Sequence, residues 1–148
     1  MNYTSEDDLL RAALFVAEKR LHHDGDALQC PHAVRDYLKV WAAQRTEEHF
    51  GVIWLNSLHQ VLATEVLFHG TIDGAQVYPR ALLRDGLNHN AAAALVFHNH
   101  PSGDSEPSAA DRALTGKLKE ALGMIDIRLL DHLVVGSTIT SLAERGWM

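Results

Sequence analysis

The stretch AAAALVFHNHPSGDSEPSAADRAL, residues 91–114, reads in one run as strand, loop and helix. Residues 91–97 are apolar without a break, the pattern of a strand buried on both faces, here ending at His98. A glycine and two prolines mark the following segment to Pro107 as loop. A helix then opens at Ser108, with Leu114, Leu118, Ala121 and Leu122 on its inner face. Downstream, IRLLDHLVV (127–135) has strand character, followed by a short strand and turn at the C-terminus. Upstream, FGVIWLN (50–56) and VLATEVLF (61–68) are rich in β-branched and aromatic residues. Turn-compatible residues Asn56 to Gln60 join them, so the pair predicts a hairpin. A short strand near Gln76–Tyr78 leads to Pro79 and a helix to about His89.

The N-terminal third is helical by pattern. Ser5 suits an N-cap, acids fill the first turn, and Leu10, Ala13, Leu14, Ala17 and Leu21 recur at helical spacing over 5–21. HHDGDALQC (22–30) reads as loop, and Pro31 opens a second helix with Val34, Tyr37, Leu38 and Trp41 on one stripe. Helices alternating with strands after a hairpin predict an α/β fold with a mixed sheet covered by helices. One composition shift, near residue 25, divides an N-terminal helix and loop (1–25) from the main domain (26–148).

Composition narrows the function classes. The chain has 148 residues, 47% hydrophobic and 22% charged, which suits one globular unit with a core that needs no staples. The formal net charge of −6 lacks the basic excess that neutralises phosphates, so nucleic acid is disfavoured as a partner. The single cysteine, Cys30, permits no internal disulfide and no thiolate zinc cage, which fits a reducing, cytosolic setting. No signal peptide is legible in MNYTSEDDLL, and no apolar run approaches the ~20 residues that span a bilayer. Oligomeric state is not readable from the chain.

The chemistry concentrates where the decisive stretch turns from strand to loop. His98 and His100 are two apart, so extended backbone points both imidazoles to one side, where they can share a metal. Asp111, on the first turn of the next helix, can be the third ligand. Two histidines and a carboxylate with an open position suit zinc. Ser108 lies three residues before Asp111, and its hydroxyl could donate to the oxyanion of a tetrahedral intermediate. Ser108-x-x-Asp111 is equally the pattern of a capping box, and both readings of the carboxylate stand side by side. Glu65 is the candidate general base: on a strand it shares a face with Val61, Ala63 and Leu67, and desolvation there raises a carboxyl pKa. Among ten histidines, His132 reads as a hydrogen-bonded sheet residue, and Asp104 and Asp131 as loop and turn residues.

His98-x-His100, seven residues, Ser108, two residues and Asp111 resemble the JAMM signature of the JAB/MPN metalloproteases. The longer string HNHPSGDSEPSAAD, with LFHGTIDGAQVYPR upstream and LLDHLVVG downstream, is similar to the RadC family within that group, over roughly residues 26–148. The resemblance implies a sheet sandwiched by helices, as in cytidine deaminases. It implies Zn2+ held by His98, His100 and Asp111, with Ser108 stabilising an oxyanion and Glu65 as general acid/base. It also implies hydrolysis of a peptide or isopeptide bond in a peptide or protein substrate. A deaminase is disfavoured, because that chemistry needs His-x-Glu with Pro-Cys-x-x-Cys. Full-length RadC proteins carry an N-terminal helix-hairpin-helix region, and this chain reads as a short form lacking it. A DNA-associated accessory role and a non-catalytic, metal-stabilised interaction module are the alternative readings.

Overall fold

The computed structural model describes residues 5–23, 31–70 and 77–148. In chain order the elements are α1 (Glu6–His23), α2 (Pro31–Ala43), β1 (His49–Leu55), β2 (Val61–His69), α3 (Pro79–Asn88), β3 (Ala93–Asn99), α4 (Ala109–Gly123), β4 (Arg128–Val135) and β5 (Ile139–Ser141). The strands form one five-stranded sheet in the order β2-β1-β3-β4-β5. β3 and β4 run parallel and the other neighbours antiparallel, so the sheet is mixed, as the alternation of elements predicts. Of the loop expected at 22–30, His22 and His23 instead complete the last turn of α1; residues 24–30 and 71–76, with the rest of GTIDGA and Gln76, lie outside the described residues.

Each central strand alternates its side chains between two apolar layers. Ile53, Leu55, Leu95 and Phe97 meet Val34, Tyr37, Leu38 and Trp41 of α2 and Ala17 and Leu21 of α1. Val52, Trp54, Ala94 and Val96 meet Leu82 of α3 and Leu118 and Leu122 of α4. Burying each large side chain contributes about 1.5–3 kcal/mol, so the stripe on α2 alone anchors that helix. Trp41 packs edge-on against Phe97 with ring centroids 4.8 Å apart. An open apolar cleft lined by Leu9, Phe15 and Val16 lies between α1 and α2, and it includes none of His98, His100 and Asp111.

Local signals place the helix ends. Ser5 Oγ accepts from the Asp8 amide at 3.2 Å, the expected N-cap of α1. Pro79 starts α3. No strand forms at Val77–Tyr78, against expectation: Tyr78 is extended (φ −97°, ψ 116°) because a proline follows it, but it joins no ladder. Asp131 lies inside β4 rather than in a turn. It accepts from Ser141 Oγ and from the amides of His132 and Ala143, which ties β4 to the chain after β5. Burial, opposed by those bonds, raises its pKa above the ordinary carboxyl value.

Candidate metal centre

The alternation that fills the two layers also aims the site. Ala94, Val96 and His98 share the face that α4 covers, so His98 arrives beneath the N-terminus of that helix. The ladder continues one step past the strand, with the His100 amide donating to the Val135 carbonyl at 2.8 Å, so His100 keeps the same side as His98. Asn99 between them pins the strand end: it accepts from the His49 amide at 2.7 Å and donates to the Glu47 carbonyl at 3.0 Å. α4 then delivers Asp111 from its first turn.

The donor atoms of His98, His100 and Asp111 all lie within 4.8 Å of one another and could hold a metal ion. His98 Nε2 and His100 Nε2 are 2.9 Å apart. Asp111 Oδ1 is 3.3 Å from His98 Nε2, and Oδ2 is 3.3 Å from His100 Nε2. A tetrahedral ion with bonds of about 2.0–2.1 Å places its ligand atoms about 3.3 Å apart, so the donor set fits such an ion in both chemistry and span. The side chains of His98 and Asp111 are 0% and 3% exposed and that of His100 is 16% exposed, so the cluster is most open to solvent at His100. Burial pushes the Asp111 carboxyl pKa up, but the imidazoles of His100 and His98 that face it outweigh burial and keep the group well below the usual carboxylate range. The same carboxylate raises the pKa of His100 against burial.

His100 is oriented by the loop. Its Nδ1 lies 2.7 Å from the Asp104 carbonyl, an oxygen that can only accept, so Nδ1 carries the hydrogen and Nε2 is left bare toward the cluster. The loop is itself pinned, since the Gly103 carbonyl accepts from Ser137 N (2.7 Å) and Ser137 Oγ (3.0 Å). Gly136 allows this approach: a Cβ there would stand 2.4 Å from the Gly103 oxygen.

The capping box forms and leaves the Asp111 carboxylate facing both histidines. Ser108 Oγ accepts from the Asp111 amide at 3.0 Å, and Asp111 Oδ2 accepts from the Ser108 amide at 2.8 Å. The reciprocal cap holds the carboxylate in the rotamer that turns both oxygens toward the histidines. Ser108 is exposed and acts in the cap as an acceptor, which leaves its hydroxyl hydrogen for another partner.

Glu65 stands apart from this cluster. It pairs across β1 with Val52, which pairs with Val96, two residues short of His98. Strand spacing and rise put the Glu65 and His98 Cα atoms about 12 Å apart. Its neighbours Ala63 and Leu67 pack into the layer that His98 faces, but Val61 packs into the opposite layer. The expected common face breaks there because the β1–β2 register shifts between Trp54 and Leu55, skipping Leu62. The Glu65 carboxylate is 26% exposed and bonds His89 Nε2 at the C-terminus of α3, where His89 stacks on Trp54.

Sequence reasoning missed two residues at or beside the site, His89 and Thr115, and read a third, His132, correctly as a hydrogen-bonded sheet histidine. His89 carried no spacing signal, since it meets Glu65 only through the tertiary fold. Thr115 sits one helical turn after Asp111, a legible i+4 relation that was passed over. His132, read as a sheet histidine, is fully buried and lies 2.8 Å from His98 Nδ1. Burial drives its pKa well below the ordinary value, which keeps it neutral.

The chain matches the RadC-like JAB domain family over residues 28–147. A UPF0758 protein of Cellvibrio japonicus is 52% identical over 143 residues, covering 94% of this chain and 64% of that protein. UPF0758 proteins of Stutzerimonas stutzeri and Azotobacter vinelandii are 56% and 54% identical over 131 residues, covering 88% of this chain and 58% of theirs. This chain thus spans about three-fifths of the length of the curated relatives it matches, and the name UPF0758 specifies no activity.

Proposed function

Because the chain belongs to the RadC-like JAB domain family, we propose that it is a zinc-dependent hydrolase of the JAMM type that cleaves a peptide or isopeptide bond. The observation that carries the reading is the convergence of three donor atoms from His98, His100 and Asp111 beside the exposed Ser108 hydroxyl. Two imidazoles and one carboxylate with an open side favour zinc over harder cations. When bound, zinc supplies Lewis acidity that lowers the pKa of water and polarises a carbonyl.

The chain's own residues do the rest. His98, His100 and Asp111 hold the ion, and the capping box keeps the Asp111 carboxylate aimed. Ser108 Oγ–H donates to the oxygen of the scissile carbonyl as charge develops on it. Glu65 takes a proton from water on a carboxylate oxygen and returns it to the leaving amine, with His89 orienting the carboxylate. Support for Glu65 comes from its place in the layer that His98 faces and from the family resemblance. The substrate is a peptide or protein rather than nucleic acid, in keeping with the net charge of −6. The setting is the reducing cytosol, in keeping with one cysteine; among the described residues no helix is long and apolar enough to cross a membrane.

Metal analysis and a mass-spectrometric peptide-library digest test the reading together. Purified protein should carry one zinc per chain, His98→Ala none, and Glu65→Gln should retain zinc while losing cleavage. A wild-type protein without zinc ends the proposal, and undiminished cleavage by Glu65→Gln removes that residue from it.

A further inference from the structure

We propose that His132 and Thr115 are positioning residues that lock His98 in the one tautomer able to bind a metal and tether it to the backbone of Asp111. This rests on the metal-centre reading above.

The protons can be assigned from one end of a chain of bonds. The Asp111 carbonyl oxygen has no hydrogen, so Thr115 Oγ1, 2.7 Å away, spends its single hydrogen on it. Toward His132 Nδ1, 2.5 Å away, the Thr115 oxygen can then only accept, so His132 carries its hydrogen on Nδ1. The lone pair of a neutral His132 lies on Nε2 and faces His98 Nδ1 at 2.8 Å. His98 therefore donates from Nδ1 and presents a bare Nε2 to Asp111 and His100. If His132 carried its hydrogen on Nε2 instead, His98 would have to accept at Nδ1. Its own hydrogen would move to Nε2, the atom that faces the other two donors, and the ligand would be lost.

Asp111 stands at both ends of the relay, so the contacts form a ring. Its carbonyl anchors the bonds Thr115–His132–His98, and its carboxylate faces the bare His98 Nε2 at 3.3 Å across the candidate metal position. The ring crosses α4, β4 and β3, and His98, Thr115 and His132 are at most 1% exposed, so water does not compete for these bonds. His100 has the same design in shorter form, with the Asp104 carbonyl in place of the relay. Buried partners of this kind fix ligand orientation and basicity at metal sites.

The test measures zinc affinity by competition with a chromophoric chelator, alongside proton–nitrogen spectra that report imidazole tautomers. His132→Leu removes the acceptor and should weaken zinc binding about tenfold or more. His132→Gln, whose amide oxygen can accept from His98 Nδ1, should recover most of that loss, which a purely structural role would not predict. In the zinc-loaded wild type His132 should be the Nδ1–H tautomer, and Thr115→Val should shift it. If His132→Leu fails to fold, Thr115→Val decides, and an unchanged tautomer with unchanged affinity overturns the proposal. Folded His132→Leu binding zinc within about twofold of wild type, against the about tenfold loss expected, also overturns it, as does a wild-type His132 carrying its hydrogen on Nε2. A wild type that takes up no zinc brings down the metal-centre reading and this proposal together; normal wild-type binding with undiminished variants brings down this proposal alone.

Discussion

Ser108 has two jobs that one pair of substitutions can separate. In the cap, Oγ accepts from the Asp111 amide at 3.0 Å; in the proposed reaction, the hydroxyl hydrogen is donated to an oxyanion. Ser108→Ala removes both. The side chain is exposed, so no cavity term arises, and the reciprocal bond from the Ser108 amide to Asp111 Oδ2 survives because it uses backbone. The stability loss is therefore that of one N-cap, about 1 kcal/mol. For a chain of this length that is about 3 °C in Tm, read by calorimetry on chelator-treated protein. Turnover should fall about 100- to 1000-fold, the usual loss when one oxyanion donor is removed. Ser108→Asp restores an acceptor at the cap and adds a negative charge at a helix N-terminus, worth about 0.3–1 kcal/mol, so its Tm should return to or exceed that of wild type. It has no hydrogen to donate, so turnover should stay low. Recovery of turnover in Ser108→Asp would refute the donor role, and an unshifted Tm in Ser108→Ala would refute the energetic weight of the cap.

Zinc bound to the folded state alone should raise Tm, by about 8 °C at a free concentration one hundred times Kd, and chelation should reverse this; no shift on chelation means that no ion is bound. Asp131→Asn probes a buried carboxyl whose pKa is raised in the fold. Because the folded pKa lies above the unfolded one, the group's contribution is fully present below the unfolded pKa and is lost as pH rises through the folded pKa. Urea midpoints should thus shift in favour of Asp131→Asn as pH rises above the ordinary carboxyl pKa of about 4, and a pH-independent difference would contradict the assignment. Gly136→Ala places a Cβ 2.4 Å from the Gly103 oxygen. Moving that loop should cost about 1–3 kcal/mol and weaken zinc binding through His100, and a variant with unchanged melting would show that the loop gives way freely.

Residues close in sequence were legible as a unit. His98, His100, Ser108 and Asp111 fall within fourteen residues, and period-two backbone followed by the first turn of a helix decides most of their relative placement. The apolar runs at 50–55 and 93–97 likewise announced β1 and β3, two of the three interior strands of the sheet. Glu65 was harder. A register shift that no local pattern encodes turned Val61 off the face it was expected to share, and the partner of Glu65, His89, comes from the end of a different helix.

The ambiguity at Asp111 shows where the boundary falls. Sequence alone determined that one carboxylate sits at both a capping position and a ligand position, because both are set by spacing along a few residues. It could not decide between them, since that turns on where two carboxylate oxygens point once β3 lies under α4. The tertiary structure shows the cap and keeps the carboxylate open to a ligand role: Oδ2 closes the cap and faces His100 while Oδ1 faces His98. It alone also brought His132 from β4 and Thr115 from α4 behind His98. The physical reason is that a side chain's chemistry is fixed by its covalent structure and neighbours, whereas its proton and its partner are fixed by groups far along the chain that only packing makes adjacent.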